Sequence, residues 1–320
     1  MTTPSVRALA RTESQSEIHF LTQKPSDQIF RNNPHISKVY LFPENNSGIA
    51  TLSLLRNLRR EAYDTVIDFH GLPKTAFLSW LIGSQKRIGL QKRGRSLFYS
   101  HPVPSLKETR YSALQKSNLL SALDIRSNDP VLDFYINDGD RQAASDIFKQ
   151  LGVRSDLPIV SISPVSRRDY KVWPSKNFAQ VCDYLAEKYQ AQILFLWGPG
   201  EYHFVENVRA QMKTVSLPDY KISTIAETVA ILEKVNLHIG NDNGPMHFAV
   251  ATETPTVAIF GRPLAINWAP PQNPLHLAIE HDPGCKLECF YPKCGLECIK
   301  DLETDPVISA IDIQMDRIGF

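Results

Sequence analysis

The chain has 320 residues, 42 % of them hydrophobic, and a formal net charge of +1. Its length points to about two domains of roughly 150 residues, each large enough to build a core. The balanced charge excludes bulk nucleic-acid binding, and no apolar run approaches the ~18 residues of a membrane-spanning helix.

The opening, MTTPSVRALARTESQ, lacks the apolar centre of a secretory signal. A cytoplasmic protein is therefore expected, with its five cysteines as thiols or metal ligands rather than disulfides. A helix-like run, Pro4 to Arg11, follows at once. The buried strand that usually opens a doubly wound domain is not read before it.

Short β-type runs then alternate with helical patterns. Strands are expected at 17–22, 38–42, 65–69 and 86–90. Amphipathic segments lie at 49–62 and 73–83, the second with apolar residues three and four apart. A polar stretch at 124–140 and a helix-like RQAASDIFKQLGV follow, with Gly152 as the expected stop. The second half repeats the alternation, with strands at 159–164, 192–198, 235–240, 254–261 and 275–280. Helices are expected near 175–189, 201–213, 223–233 and 244–252. This pattern predicts parallel sheets with helices on both faces. The domain boundary is placed near residue 150, giving domains 1–150 and 151–320. Ligands of such sheets bind at the carboxyl ends of the strands.

Three strand-end connections carry candidate chemistry. In GNDNGPMHFAVA, from Gly240, Pro245 suits the first turn of a helix and Asn243 or Gly244 its cap. Unpaired N–H groups and the positive end of the helix dipole would there face a diphosphate, and Gly244 lets backbone approach it closely. His247 can bond a phosphate or a sugar hydroxyl, whereas Asp242 suits sugar hydroxyls or a cap. A plain connection between strand and helix has the same pattern. In SISPVSRRDYKVWPSKNFAQV, from Ser161, the cations Arg167, Arg168 and Lys171 precede a helix. Cations are unfavourable at that helix end unless an anion sits there too; a solvated basic loop is the alternative. In LFLWGPGEYHF, Glu201 opens a helix or holds a ribose by its hydroxyls.

Together these stretches resemble glycosyltransferase family nine, the ADP-heptose:lipopolysaccharide heptosyltransferases. GNDNGPMHFAVATETPTVAIFG is similar to the family's Asp-Thr-Gly-Pro-Met-His signature, and SRRDYKVWP to its nucleotide-sugar loop. VIDFHGLPKTAFLSWLIGSQKRIG resembles the Asp-x-x-Gly-x-x-Lys-Ser/Thr segment with its following Arg-Ile-Gly. The resemblance implies a GT-B fold, two Rossmann-like doubly wound domains facing a cleft. The N-terminal domain would bind an inner-core lipopolysaccharide acceptor and the C-terminal domain an ADP-heptose donor. Transfer would invert the anomeric centre in one displacement, with no cofactor required. The acceptor implies peripheral contact with the inner face of the inner membrane.

By position, the resemblance makes Lys171 the cation that neutralises the leaving diphosphate. Ser166 and Arg167 stand at the family's phosphate-contacting hydroxyl residues, and Arg167 departs from that pattern. Glu201 would hold the ribose. Asp242, Asn243, Gly244 and His247 would line the junction of diphosphate and heptose, with Asn243 in place of the commoner threonine. The family's base, an Asp after the first strand, would fall about three residues before Met1 in this alignment. Asp68 and His70 end a strand of the same domain and are the candidates inside the chain. If neither serves, the alternative is a nucleotide-sugar-binding protein with little or no turnover. A sugar-nucleotide epimerase shares the architecture, but the Lys-x-Trp-Pro and Asp-Asn-Gly-Pro-Met-His pair argues against it. Lys74, Lys92, Arg93 and Arg95 are candidates for acceptor phosphates or carboxylates.

One cluster stands apart. CKLECFYPKCGLEC puts Cys285, Cys289, Cys294 and Cys298 at spacings compatible with a structural zinc site. A reduced or redox-active cluster is the alternative. Cys182, in an amphipathic helix, reads as core.

Overall fold

The computed structural model describes the chain except residues 45–47, 108–110, 263, 286, 287 and 290. It divides into two compact units, Met1–Tyr135 and Ile136–Phe320. No helix among the described residues is long and apolar enough to cross a membrane.

Unit 1 opens with helix α1 (Thr3–Thr12), its Pro4 within the first turn. Arg7 on α1 is buried and held by Asp129 at 2.7 Å and by Asp133. Then come β1 (His19–Thr22), β2 (Lys38–Leu41), α2 (Gly48–Arg60), β3 (Thr65–Asp68), α3 (Pro73–Ile82), β4 (Lys86–Leu90), β5 (His101–Val103) and α4 (Ser112–Ser117). All strand pairs are parallel, but they form two sheets, β1–β2 and β3–β4–β5. Among the described residues no ladder joins β1 to β3, so each keeps one unpaired edge. All four residues of β1 and the first three of β3 are only half-buried. A single sheet per domain, as the doubly wound pattern predicts, forms only in unit 2.

Unit 2 runs α5 (Asp138–Gln150), β6 (Ile159–Ser163), α6 (Ser175–Tyr189), β7 (Gln192–Phe195), α7 (Tyr202–Arg209), α8 (Ile225–Leu232), β8 (Leu237–Asn241), α9 (Gly244–Ala251), β9 (Thr256–Phe260), β10 (His276–Glu280), α10 (Glu297–Lys300) and α11 (Thr304–Arg317). Its five strands form one parallel sheet, ordered β10-β9-β8-β6-β7. Every residue of β6, β8 and β9 is buried, as a sheet covered on both faces requires. Helices α6, α7 and α11 pack as one set and α5, α8 and α9 as another. Cys182 lies in the core of the first set and is fully buried.

The boundary expected near residue 150 falls instead between 135 and 136. Helix α5 belongs to unit 2 because it packs on α8, and Arg141 Nε donates to Glu233 at 3.0 Å. Gly152 does stop the helix, with φ of 66°. The first turn of α5 contains Asp138-Gly139-Asp140, the Asp-x-Asp spacing by which other transferases hold a metal. Here Asp140 closes a capping box: its N–H donates to Asn137 Oδ1 at 2.9 Å and its carboxylate receives the Asn137 N–H at 3.1 Å.

Candidate functional site

The strand order of unit 2 locates its site. From β6 the chain moves outward to β7; from β8 it moves the opposite way, to β9 and β10. Strands β6 and β8 are neighbours, with Ile162 beside Ile239 and Ser163 beside Gly240. Their carboxyl ends form the topological switch point where ligands of such sheets bind. The two stretches richest in candidate residues, 164–174 and 241–247, leave the sheet at this point.

Two asparagines fasten these stretches together. Asn241 is fully buried; its Nδ2 donates to Pro164 O at 2.9 Å and its Oδ1 accepts the Trp173 N–H at 3.2 Å. It thus holds both ends of the basic loop. Asn243 caps α9 by accepting the Met246 N–H at 3.2 Å. Its Nδ2 donates back to Ser163 Oγ at 2.9 Å and Val165 O at 3.0 Å. The loop is anchored again at Trp173, which is fully buried and donates its indole N–H to Leu302 O at 2.8 Å.

The cap corrects one expectation. Several free N–H groups were expected at the start of α9. Pro245 has none, and Asn243 takes that of Met246. Exposed Gly244 is the first-turn position best able to offer its N–H to a ligand.

The ionisable residues meet above this frame. Lys171 Nζ donates to Asp242 Oδ2 at 2.6 Å. The Asp242 side chain is 3 % exposed and that of Lys171 19 %. Burial raises the Asp242 carboxyl above the usual carboxylate range, opposed by Lys171. His247 Nε2 lies 3.8 Å from the other Asp242 oxygen. Its Nδ1 is buried without a hydrogen-bond partner. Burial lowers the His247 pKa to about 3, so the ring is neutral at pH 7. Trp268, absent from the sequence candidates, stands 6.0 Å from both the His247 ring and Lys171 Nζ. It lies in a segment with no strand-end signature, so no local signal marked it.

Beyond the end of β7, the Glu201 side chain braces the turn that precedes α7 by accepting the Gly198 N–H at 2.9 Å. Its other oxygen lies 3.9 Å from Arg167, whose side chain is 81 % exposed. Ser166 accepts the Arg168 N–H at 3.2 Å and so shapes the basic loop.

In unit 1, Asp68 ends β3 almost buried, and both its oxygens are engaged. Oδ1 accepts the His70 N–H at 3.0 Å and the Gly71 N–H at 2.9 Å; Oδ2 accepts the Tyr99 hydroxyl at 2.8 Å. Three donors hold this carboxylate as an anchor of the strand end, and Tyr99 was invisible in the sequence because it lies 31 residues away. His70 is exposed beside it. Arg95 donates to Gly71 O at 2.6 Å, Lys74 Nζ stands 4.0 Å from the Phe42 ring, and Lys92 and Arg93 are exposed.

The structure does not confirm a zinc site at the cysteine cluster. Among the described residues no three His, Cys, Asp or Glu side chains gather to hold a metal ion. Cys289 is exposed, and Cys298 rides on the short helix α10. Cys285 is near enough to Cys289 and Cys294 that they add to desolvation in raising its thiol pKa.

The chain's two α/β units, the second with a lysine, a histidine and a capped helix at its switch point, have the GT-B fold. The chain belongs to glycosyltransferase family 9 (heptosyltransferase), whose model matches residues 51–298. It is 25 % identical over 260 residues to lipopolysaccharide heptosyltransferase 1 of Campylobacter coli, covering 77 % of this chain and 75 % of the relative. A family 9 glycosyl transferase structure from Veillonella parvula superposes with a TM-score of 0.84 at 22 % identity, covering 98 % of this chain and 93 % of that one. The E. coli ADP-heptose lps heptosyltransferase II superposes with a TM-score of 0.74 at 16 % identity, covering 98 % and 95 %.

Proposed function

We propose that this chain transfers a heptosyl group from ADP-heptose to the inner core of lipopolysaccharide, with inversion. The observation that carries this reading is the meeting of Lys171, Asp242 and His247 at the ends of β6 and β8. The ADP-heptose named for the E. coli structure and the lipopolysaccharide named for the Campylobacter relative supply the substrate identities.

In this scheme the acceptor oxygen attacks the anomeric carbon as the bond to the β-phosphate oxygen breaks. Negative charge grows on the departing ADP. Lys171, the Gly244 N–H and the positive end of α9 face that charge, and such preorganised groups act most strongly in the transition state. Asp242 accepts from heptose hydroxyls once the diphosphate has drawn Lys171 away. Neutral His247 donates one ring N–H to phosphate or sugar. Glu201 receives the ribose hydroxyls, with Ser166 and Arg167 beside the phosphates. The acceptor proton goes to a base in unit 1. Asp68 anchors the strand end there, and exposed His70 is the candidate beside it. Lys74, Lys92, Arg93 and Arg95 meet acceptor anions, and the glycolipid acceptor brings unit 1 to a membrane surface.

The test is incubation with ADP-heptose and an inner-core acceptor, followed by mass spectrometry and NMR of the product. A product heavier by one heptose residue, with inverted anomeric configuration, is expected. ADP-heptose bound but unconsumed, or a retained configuration, overturns the proposal.

A further inference from the structure

Helix α3 reads PKTAFLSWLI, apolar around most of its circumference, the composition of a fully buried helix. Only part of it is buried: Ala76, Leu78 and Ser79 face the interior. Phe77 and Trp80 are 45 % and 50 % exposed. Their rings stack at 5.7 Å, and Phe98 meets Phe77 edge-on at 5.6 Å. Leu97, beside Phe98, is 85 % exposed. Large apolar side chains gathered on a surface in this way mark an interaction site.

The rim of this patch is basic. Lys92 O accepts the Ser96 N–H at 3.1 Å, closing a turn that carries exposed Lys92 and Arg93 and leads directly into Leu97. The surrounding sequence is one-sided in charge. From Phe69 to Lys107 there are seven Lys or Arg residues and no Asp or Glu, in a chain whose net charge is only +1.

We infer that this face of unit 1 docks on a lipid bilayer carrying anionic headgroups. The inference deepens, and rests on, the proposed contact of unit 1 with a membrane surface. Tryptophan settles at the headgroup level, where one side is apolar and the other wet, and phenylalanine and leucine enter the acyl boundary beneath it. Lys92 and Arg93 meet anionic headgroups there, each adding to the attraction. A second copy of the chain is a poorer occupant. A two-fold interface sets the patch against itself, so Lys92 and Arg93 would face their own charges. Four apolar side chains also fall short of the ~800 Å² per partner that a stable dimer buries. At ten residues α3 is too short to span the bilayer, so the contact is superficial.

The experiment is flotation of the full chain with vesicles of phosphatidylcholine, alone or mixed with phosphatidylglycerol. Binding is expected to the mixed vesicles and to weaken with salt. Trp80→Ala with Leu97→Ser should weaken it by about tenfold or more, as should Lys92→Glu with Arg93→Glu. A Trp80→Phe variant keeps the fold and should lose the blue shift of tryptophan fluorescence on vesicle addition. Transfer to a deacylated, water-soluble acceptor should be unchanged by the Trp80 and Leu97 variants. Vesicle binding that survives all these changes overturns the patch and leaves the membrane contact standing. No binding to either vesicle overturns both. A variant that halves the particle mass in solution without altering vesicle binding assigns the patch to a second copy and overturns the inference.

Discussion

Lys171 Nζ and Asp242 Oδ2 lie 2.6 Å apart, a charge pair at the mouth of the switch point that any diphosphate must rearrange. Lys171→Ala removes a charge-assisted phosphate contact worth roughly 1.5–3 kcal/mol, so ADP affinity should fall by about 10- to 150-fold. Asp242→Asn frees the lysine. It should leave ADP binding as tight or tighter, yet depress heptosyl transfer, because the sugar loses a charged carboxylate acceptor and one of its two oxygens. Titration calorimetry with ADP separates the two. Weaker ADP binding in Asp242→Asn would contradict the roles assigned.

His247→Ala should lower turnover while leaving the melting temperature near that of the parent. Its ring is neutral at pH 7, held there by burial. Its loss should therefore cost about as much as one neutral hydrogen bond, roughly 0.5–1.5 kcal/mol in kcat/KM. An effect above a hundredfold would require a charged imidazole at this position.

Stability should fall in mild acid. Burial lowers the pKa of His238 to about 3 and of His276 to about 4, and His247 is lowered likewise. Each folded value lies below the unfolded value near 6.5. The unfolded chain therefore binds more protons across this window, and stability falls as pH drops from about 6.5 toward 4. Each histidine contributes a slope of about 1.4 kcal/mol per pH unit there. His238 is fully buried with Nδ1 against Ser161 Oγ at 2.9 Å, so His238→Gln should flatten the slope by about one proton. Chemical denaturation at several pH values reads this directly; an unchanged slope refutes it.

The two units should differ in protection. Unit 1 carries two small sheets with half-buried strands, whereas the central strands of unit 2 are wholly buried. Amides of β1 and β3 should exchange through local opening well before those of β6 and β8. Hydrogen-exchange mass spectrometry that finds β1 as slow as β8 would show that the unpaired edges cost unit 1 nothing.

Alanine at Lys74, Arg93 or Arg95 should raise the acceptor KM and spare the donor KM. The reverse pattern in steady-state kinetics would move the acceptor away from these residues.

Much of this was legible locally. Helix α6 was expected at 175–189 and found as Ser175–Tyr189, because apolar spacing and a flanking proline fix it without distant partners. The two strand-end loops at the switch point were legible for the same reason, since capping residues and cations mark strand ends. What failed depended on contacts distant in sequence. The domain boundary hinged on α5 meeting α8, and Tyr99, one of the three donors that hold Asp68, comes from 31 residues away. Asn241 locks both ends of the basic loop through partners 77 and 68 residues away. Helix α11 escaped notice although its Val307, Ile311 and Met315 complete the core of unit 2. The cysteine spacing was read as metal-compatible, but spacing does not fix where side chains converge.

The central claim is heptosyl transfer through the Lys171–Asp242 site. Its most direct test is ADP release from ADP-heptose, with and without acceptor, for the parent chain and for Lys171→Ala. Acceptor-dependent ADP release, matched mole for mole by heptosylated product and strongly reduced in Lys171→Ala, is the predicted result. Acceptor-dependent release that Lys171→Ala leaves untouched, or no release from the parent chain at all, would contradict it.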